Sequence, residues 1–145
     1  MSETLRISTD KSELDLDLIH DFLATGSSWA QGISIGTVRK SIEHSLCFGG
    51  YLGQAQVAFA RVISDFATFA NLVDVFVLPA YRGRGYSKQV VETVIAHPQL
   101  QGLRRFTLAT FDAHALYARY GFTPPHKPDT LMEIYTPGIY QLDRR

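Results

Sequence analysis

One segment constrains this chain more than any other: an apolar run that ends at a proline and continues through two glycines into an amphipathic helix. The run covers residues 73–78, and Gly83 and Gly85 alternate with Arg82 and Arg84. Glycine allows backbone conformations that are closed to other residues. A helix that begins directly after such a loop offers unpaired N–H groups and the positive end of its dipole to an anion. The segment therefore predicts a strand, an anion-binding loop and a helix in succession.

The helix after the glycines is predicted from apolar residues that recur at helical spacing. Its apolar face consists of Tyr86, Val90, Val91, Val94 and Ile95. Because a proline disfavours helical backbone in the residue before it, the helix is predicted to end at residues 97–98.

Two common phosphate-binding patterns do not fit this loop. A nucleoside-triphosphate loop has four residues between its glycines, whereas Gly83 and Gly85 are separated by one. A dinucleotide-binding loop has a third glycine where this chain has Lys88, and an acid about 20 residues further on, where Arg104 and Arg105 stand. The sequence therefore favours neither NAD nor a mononucleotide as the ligand.

The pattern that remains, Arg-x-x-Gly-x-small over residues 82–87, resembles the pyrophosphate-binding motif of the GNAT superfamily of acyl-CoA-dependent N-acyltransferases. A second block agrees, since the Ala-Leu-Tyr-x-x-x-Gly-Phe sequence of residues 115–122 is similar to the second motif of that superfamily. Gly121 can adopt the left-handed conformation that ends a helix, and Phe122 can then fold back onto the core. The two motifs lie within residues 72–122, about a third of the chain.

The rest of the chain is predicted to supply strands and helices in the order βααβββαβαββ. Strands are predicted at 5–8, 46–52, 56–63, 67–77, 103–110, 121–124 and 130–135, and the other helices at 12–24 with Ser12 as cap, 37–45 with Thr37 as cap, and 114–120. This order resembles that of GNAT proteins. It predicts an α/β fold of the α+β type, with a mixed, mostly antiparallel central sheet flanked by helices.

The length predicts a single domain over residues 1–145, which the resemblance implies is GNAT-like, and we expect it to lie in the cytoplasm. Lys plus Arg and Asp plus Glu number 14 each, so there is no general basic field that would indicate a nucleic-acid partner. The amino terminus does not read as a secretion signal, and no apolar run approaches 18 residues, so we expect no membrane partner. Cys47 is the only cysteine and the five histidines lack metal-ligand spacing, so we expect no metal. Monomer and homodimer both stay open.

The resemblance implies acetyl-CoA as co-substrate. It implies that the main chain of Val75, Phe76 and Val77 pairs with the pantetheine arm as an added strand would, and that residues 82–87 hold the pyrophosphate. Asp112 stands where relatives often carry an asparagine that contacts pantetheine. The residues expected to bind the cofactor are Val75, Phe76, Val77, Arg82, Gly83, Arg84, Gly85, Tyr86, Ser87, Asp112 and Tyr117.

Tyr117 and Asp74 are the candidate catalytic residues. Tyr117 falls at the usual general-acid position of the superfamily, although a buried helix aromatic would fit the same position. Asp74 lies on a strand where members often carry an acid, and it is either a general base or a structural carboxylate that accepts hydrogen bonds. Asn71 cannot take a proton and so cannot be the general base. A water chain to the backbone and to Tyr51 or Asp65 is an equal alternative to Asp74 in that role.

Two functions of different class follow from the sequence. The first is an N-acetyltransferase that moves the acetyl group of acetyl-CoA directly to a primary amine of a small molecule or to an exposed amino group. The second is a catalytically idle acyl-CoA-binding domain that senses or regulates. Candidate substrate contacts are Trp29, Tyr51 and Asp74, and Trp29 lies in a Gly/Ser-rich loop at residues 26–32. Cys47 is expected to be a buried small side chain and not a nucleophile.

Overall fold

The computed structural model describes residues 4–142, and within them five strands form a sheet in which each strand lies beside the next one in sequence. The strands are β1 (Arg6–Ser8), β2 (Leu46–Leu52), β3 (Ala55–Ser64), β4 (Phe69–Val77) and β5 (Arg105–Leu108), and the helices are α1 (Leu16–Asp21), α2 (Ile35–Glu43), α3 (Tyr86–Ala96), α4 (His114–Ala118) and α5 (Ile139–Leu142). Neighbouring strands are antiparallel from β1 to β4, and β4 and β5 are parallel. The predicted fold class is confirmed.

Helices cover both faces of the sheet, and each face has its own apolar core. On one face Ala60 and Val62 of β3 cluster with Val91 of α3. On the other face Phe59 clusters with Val38 of α2, because successive side chains of a strand point to opposite faces. Burial on both faces explains why β2 and β3 are almost continuously apolar. None of the helices within residues 4–142 has the length and apolar character needed to cross a membrane.

The two amino-terminal helices begin at other residues than predicted. Ser12 does not cap a helix over 12–24; it lies in a short 3-10 turn, and α1 begins later, with the Asp15 carboxylate accepting the N–H of Leu18 at 3.1 Å. After α1 the chain continues as a π-helical turn, Phe22–Gly26. The cap of α2 is Ser34 and not Thr37. Several Ser, Thr and Asp residues stand close together here, and only the packing of the helices selects among them.

The two carboxy-terminal strands predicted at 121–124 and 130–135 are wrong for this structure. Residues 123–138 contain no strand, and the side chains of Met132 and Ile134 are 97% and 102% exposed. Prolines at 124 and 125 remove the N–H donors that the first strand would need. Residues 130–135 have strand-forming composition, but a strand needs a partner to take its hydrogen bonds, and no described strand lies beside them. We call residues 123–142 the C-terminal arm.

Tyr51 at the end of β2 is a buried polar residue without a partner. Its side chain is 2% exposed, and its hydroxyl forms no hydrogen bond within the described structure. Gly49 leaves the space that the Tyr51 ring occupies. Burial disfavours the charged phenolate and raises the pKa of Tyr51 to about 12.

We expect Tyr51→Phe to raise the free energy of unfolding by about 1 kcal/mol near neutral pH, because it removes a buried hydroxyl without a partner. As pH rises from about 10 to about 12, the unfolded wild type loses its Tyr51 proton while the folded protein keeps it, so wild-type stability falls across this window. The Phe variant lacks that loss, so the difference in the free energy of unfolding between variant and wild type should grow with pH.

Urea unfolding at pH about 8 and about 11 tests both effects. Tyr135→Phe, at an exposed position, is the control, and a Tyr51→Phe protein less stable than wild type at neutral pH would contradict the assignment.

Candidate functional site

Strand β4 contains a bulge in the segment that the sequence predicts to bind a ligand. Phe59 of β3 lies opposite Phe76, and Arg61 lies opposite Val73, so β4 has one more residue than β3 in this interval. Asp74 lies in the bulge with a φ of 56°, a backbone conformation that few non-glycine residues adopt. A bulge bends its strand and increases the local twist. It therefore redirects β4 from this point onward.

The Asp74 carboxylate is fully engaged by neighbouring side chains. Arg61 donates from Nε to Oδ2 at 2.9 Å, and Trp29 donates from Nε1 to Oδ1 at 2.8 Å. Arg61 also donates to the Ser45 hydroxyl at 3.0 Å. The Arg61 and Asp74 side chains are 13% and 8% exposed, so little water competes for the pair. The network fixes the bulge to β3 and to the loop that carries Trp29.

The structure thus brings together two residues, Trp29 and Asp74, that the sequence analysis proposed separately. It also adds Arg61, which that analysis missed. A signal was present, because Arg61 is the only charged residue within the apolar β3 run and Asp74 is the only one within β4. One buried charge of each sign on consecutive strands indicates a cross-strand pair.

Strands β4 and β5 separate just before the bulge. Their pairing covers only Phe69–Leu72 with Arg105–Leu108. At the third pair of this ladder the Thr107 hydroxyl donates to the Asn71 side-chain oxygen at 2.8 Å and ties the two strands together. Beyond Leu72, no described strand lies on this side of residues 73–77. The main chain of Val75, Phe76 and Val77 therefore lies along an open strand edge, where an extended ligand can add its own hydrogen bonds.

The open edge leads into the glycine loop and helix α3. Gly83 and Gly85 have φ values of 81° and 80°, in the left-handed region that favours glycine. No atom lies within 4 Å of a Cβ built on either residue, so the space beside the loop is open. Helix α3 begins at Tyr86 with Gly85 as its cap, and no side chain caps it. The predicted sequence of strand, glycine loop and helix is present, and its geometry suits an anion.

Two arginines flank the loop with different contacts. Arg82 donates from Nε to the carbonyl of Val77 at 2.9 Å and so holds the loop against the end of β4. The guanidinium of Arg84 lies over the Tyr81 ring, 5.4 Å from its centroid. Both arginines are exposed, as are Gly83 and Gly85. Positive charge therefore flanks an accessible stretch of main chain.

Tyr117 lies on α4, the short helix that follows β5. Gly121 ends this segment with a φ of 95°, as predicted, and Phe122 folds back so that its ring packs edge to face with Tyr117 at 5.9 Å between centroids. Tyr117 is 8% exposed, and burial raises the pKa of its hydroxyl, so it stays protonated at neutral pH. A neutral tyrosine can donate a proton. Asp112 lies exposed in the turn before α4.

The other proton-relay candidates lie elsewhere. Tyr51 is on β2, two strands away from β4 in the sheet. Asp65 is in the turn between β3 and β4, at the opposite end of β4 from the glycine loop. The Thr68 hydroxyl and the N–H groups of Thr68 and Ala67 donate to its carboxylate, and these hydrogen bonds lower the Asp65 pKa. Asp65 therefore stabilises a turn.

Neither a metal site nor a reactive thiol is found in the part of the chain that the structure describes. Residues 4–142 contain no group of three or more His, Cys, Asp or Glu side chains that could hold a metal ion. Cys47 is buried, and burial raises the pKa of its thiol to about 11. A thiol that keeps its proton at neutral pH is a poor nucleophile.

Comparison with known proteins gives consistent matches. A family model for an acetyltransferase (GNAT) domain matches residues 43–124, more than half of the chain. A GNAT-family protein from Xanthomonas campestris pv. campestris has a crystal structure that superposes with a TM-score of 0.94 at 61% sequence identity. That match covers 97% of this chain and 99% of the other, which leaves only a few residues unmatched, so it includes the C-terminal arm.

Two more distant matches are one curated sequence and one solved structure. A Gibberella zeae protein named as an acetyltransferase is 29% identical over 135 residues, covering 78% of this chain and 75% of its own length. A Clostridium acetobutylicum protein whose crystal structure was solved with acetyl-CoA superposes with a TM-score of 0.65 at 14% identity, over 91% of this chain and 95% of that one. At this identity the second match shows the fold alone.

We expect Arg61→Met to lower the free energy of unfolding by about 3 kcal/mol, because it leaves the buried Asp74 carboxylate without its charge partner. Adding Asp74→Asn to that variant should recover part of the loss, since a neutral amide is less costly to bury and asparagine tolerates a positive φ. Urea unfolding of both variants measures the two changes.

The matched control is Arg6→Met, which removes the exposed ion pair between Arg6 and Glu13 and should cost about 1 kcal/mol or less. Equal losses from Arg61→Met and Arg6→Met would show that the buried pair does not hold the bulge.

Proposed function

We propose that this chain, which belongs to the GNAT family of acetyltransferases, moves the acetyl group of acetyl-CoA directly to a primary amine of a small molecule or to an exposed amino group. One observation carries the proposal. The open edge of β4 at Val75–Val77 runs straight into a glycine loop and the uncapped start of α3. An extended amide-containing arm that ends in a pyrophosphate matches both parts of this surface.

The residues present fit acetyl-CoA. Backbone N–H and C=O groups of Val75, Phe76 and Val77 would pair with the amides of the pantetheine arm, as an added strand would. Backbone amides from Gly83 to Ser87 would bind the pyrophosphate, with the charges of Arg82 and Arg84 beside them. Asp112 and Tyr117, in the turn and helix after β5, would line the opposite side of the opening.

Acetyl-CoA supplies an acetyl group activated as a thioester. The protein holds that group at a strand edge, where an N–H of the bulged segment can donate to the carbonyl oxygen as it gains negative charge. Tyr117, kept protonated by burial, would donate its hydroxyl proton to the departing thiolate sulfur, and the proton that the acetylated nitrogen releases would return to the tyrosine oxygen. Because a thiol has a pKa near 8.5, the thiolate can also depart without full protonation. Tyr117 is therefore expected to assist the reaction and not to be indispensable.

Asp74 is proposed to position β4 and not to take the proton of the amine. Both of its carboxylate oxygens already accept hydrogen bonds, one of them within the buried pair with Arg61. Proton transfer to Asp74 would leave the Arg61 guanidinium buried without its counter-charge. A neutral amine that reaches the site after losing its proton to water fits these contacts better.

The alternative of a catalytically idle acyl-CoA-binding domain predicts the same binding surface without turnover. Tyr117 favours the enzyme, because its buried and protonated hydroxyl can serve as a proton donor. Thiol release from acetyl-CoA in the presence of a panel of amines decides between the two, since an idle domain would bind acetyl-CoA and release no thiol with any amine.

We expect acetyl-CoA at about a hundredfold excess over its dissociation constant to raise the melting temperature by roughly 5 °C or more. Arg84→Ala should weaken its binding about tenfold, because a charge-assisted contact to phosphate is lost. Arg39→Ala, which removes an exposed arginine on α2, is the control and should bind normally. Titration calorimetry measures the affinities. Stabilisation by NAD or ATP but not by acetyl-CoA would overturn the proposed ligand.

We expect Tyr117→Phe to lower the turnover number by about 10²-fold, with binding of acetyl-CoA nearly unchanged, because phenylalanine keeps the packing and removes the proton donor. An unchanged melting temperature would show that the loss is chemical. Tyr120→Phe is the matched control: it lies in the same segment, and its hydroxyl donates to Glu92 on α3 at 2.8 Å. Full turnover of the Tyr117→Phe protein with saturating amine would make Tyr117 a packing residue.

A further inference from the structure

Part of the sheet face that α1 and α2 cover is left open by the part of the chain that the structure describes. The two helices pack over Phe59, near the middle of β3. Further along the same face, Ile63 of β3 and Phe69 of β4 are 45% and 41% exposed. Both point to this face because they alternate with Val62 and Ala70, which are buried in the cluster under α3. We call this uncovered area, next to the bulge of β4, the open floor.

The polar group at the centre of the open floor is a hydrogen-bond donor. Asn71 lies directly opposite Ile63 in the ladder between β3 and β4, and opposite Thr107 in the ladder between β4 and β5. The Asn71 carbonyl oxygen accepts the Thr107 hydroxyl at 2.8 Å, while the Asn71 amide nitrogen forms no hydrogen bond within residues 4–142. Its two N–H groups are therefore available to an oxygen of a ligand.

Two arginines give the open floor positive charge. Arg105 lies opposite Phe69 in the ladder between β4 and β5, so its side chain points to the same face. Arg104 and Arg105 line a cavity of about 320 Å³ together with Phe69 and Thr68. Both arginines are exposed, and neither side chain forms an ion pair within the described residues. An anionic group that reaches this area would meet two unpaired cations.

The carboxylates of β4 and of the turn before it have no oxygen to spare for a cation. Asp74 accepts hydrogen bonds on both oxygens and is paired with Arg61. Asp65 accepts the Thr68 hydroxyl on one oxygen and backbone N–H groups of its own turn on the other. The open floor therefore offers donors and positive charge to an anion, and offers no free acceptor to a second ammonium group.

We propose that the amine acceptor of this enzyme carries a carboxylate or a similar anionic oxygen group at the far end of its chain, bound by the Asn71 amide and by Arg105. The inference rests on the proposed acetyl transfer and names the class of acceptor for it. It adds Asn71, Thr107 and Arg105 to the site as residues that determine specificity. Thr107 acts by holding the Asn71 amide in place.

The register sets the distance between the amine and the anion. The acetyl group would lie at the bulge, and Asn71 stands two residues before Val73, where the open edge of β4 begins. Two residues of a strand span about 7 Å, so the anion lies about that far or further from the reacting amine. An α-amino acid that reacts through its α-amine is too short, whereas a chain with the amine at the other end reaches both points.

The body of such a chain would pass over apolar surface. Ile63 stands beside Asn71 on the open floor, and the Trp29 ring is 46% exposed while its N–H is fixed on Asp74. Methylene groups between the amine and the anion can contact both side chains. The ring of Trp29 is held in place before the ligand arrives, so little order has to be imposed on binding.

Three amines of equal length test the acceptor class: ω-aminohexanoate, hexylamine and hexamethylenediamine, which end in a carboxylate, a methyl group and a second amine. We expect kcat/KM for ω-aminohexanoate to exceed that for hexylamine about tenfold or more, because only the carboxylate gains charge-assisted hydrogen bonds. The diamine should be the poorest of the three. Norleucine, an isomer of ω-aminohexanoate with the amine beside the carboxylate, should also be poor. Equal values for ω-aminohexanoate and hexylamine, or a preference for the diamine, would overturn the proposal.

Asn71→Asp is the matched variant. Aspartate keeps an oxygen for the Thr107 hydroxyl and replaces the two N–H donors with a negative oxygen, so the fold should survive and the preference should invert in favour of the diamine. Gln99→Glu makes the same amide-to-acid change at an exposed position after α3, on the other face of the sheet, and should leave the preference unchanged. An Asn71→Asp protein that still prefers ω-aminohexanoate would contradict the assignment.

Binding separates a failure of this inference from a failure of the proposed function. Titration calorimetry of the CoA-saturated protein compares ω-aminohexanoate with hexylamine without any turnover. Tighter binding of ω-aminohexanoate that Asn71→Asp abolishes, with no thiol released from acetyl-CoA by any amine, would remove acetyl transfer and keep the anion site. Thiol release without a preference for the anionic chain would keep acetyl transfer and remove the anion site. Equal binding of the two compounds would also remove it.

Discussion

The buried ion pair between Arg61 and Asp74 is the interaction on which the shape of the site depends. It joins two neighbouring strands at the position where β4 carries an extra residue, and it holds Asp74 at a φ of 56°. Burial of two charges has a large desolvation cost, so such a pair adds little net stability compared with apolar residues. Its contribution is geometric. It fixes one arrangement of the bulge, and Trp29 ties the same carboxylate to the loop after the first helical segment.

The bulge explains why the ligand surface opens where it does. The ladder between β4 and β5 ends at Leu72, and the bulge follows within two residues. A strand that bends at this point leaves its neighbour and presents free main-chain groups on the side that faced it. The same bend directs β4 toward the glycine loop, and Arg82 secures the junction through the Val77 carbonyl. Strand edge and anion loop thus form one continuous surface, which fits the acetyltransferase family to which the chain belongs.

The edge of the sheet raises a different physical problem. An edge strand with unpaired main-chain groups, close to an exposed apolar segment, is prone to association, and natural proteins cover or blunt such edges. The arm and β5 line one groove without pairing as strands, and the first half of the arm contains three prolines.

Local features of this protein were determined by the sequence itself. The glycine loop, the face of α3 and the glycine that ends the α4 segment follow from residues close together in the chain, and so does the order of strands and helices up to α4. The family could be identified from the same motifs. Tertiary structure decided the rest: it selected Asp15 and Ser34 as caps among several candidates, joined Asp74 to Arg61 and Trp29, and left residues 130–135 without a partner strand. Hydrogen bonds of a strand or a buried carboxylate depend on which distant segments meet, and that information is absent from any local pattern.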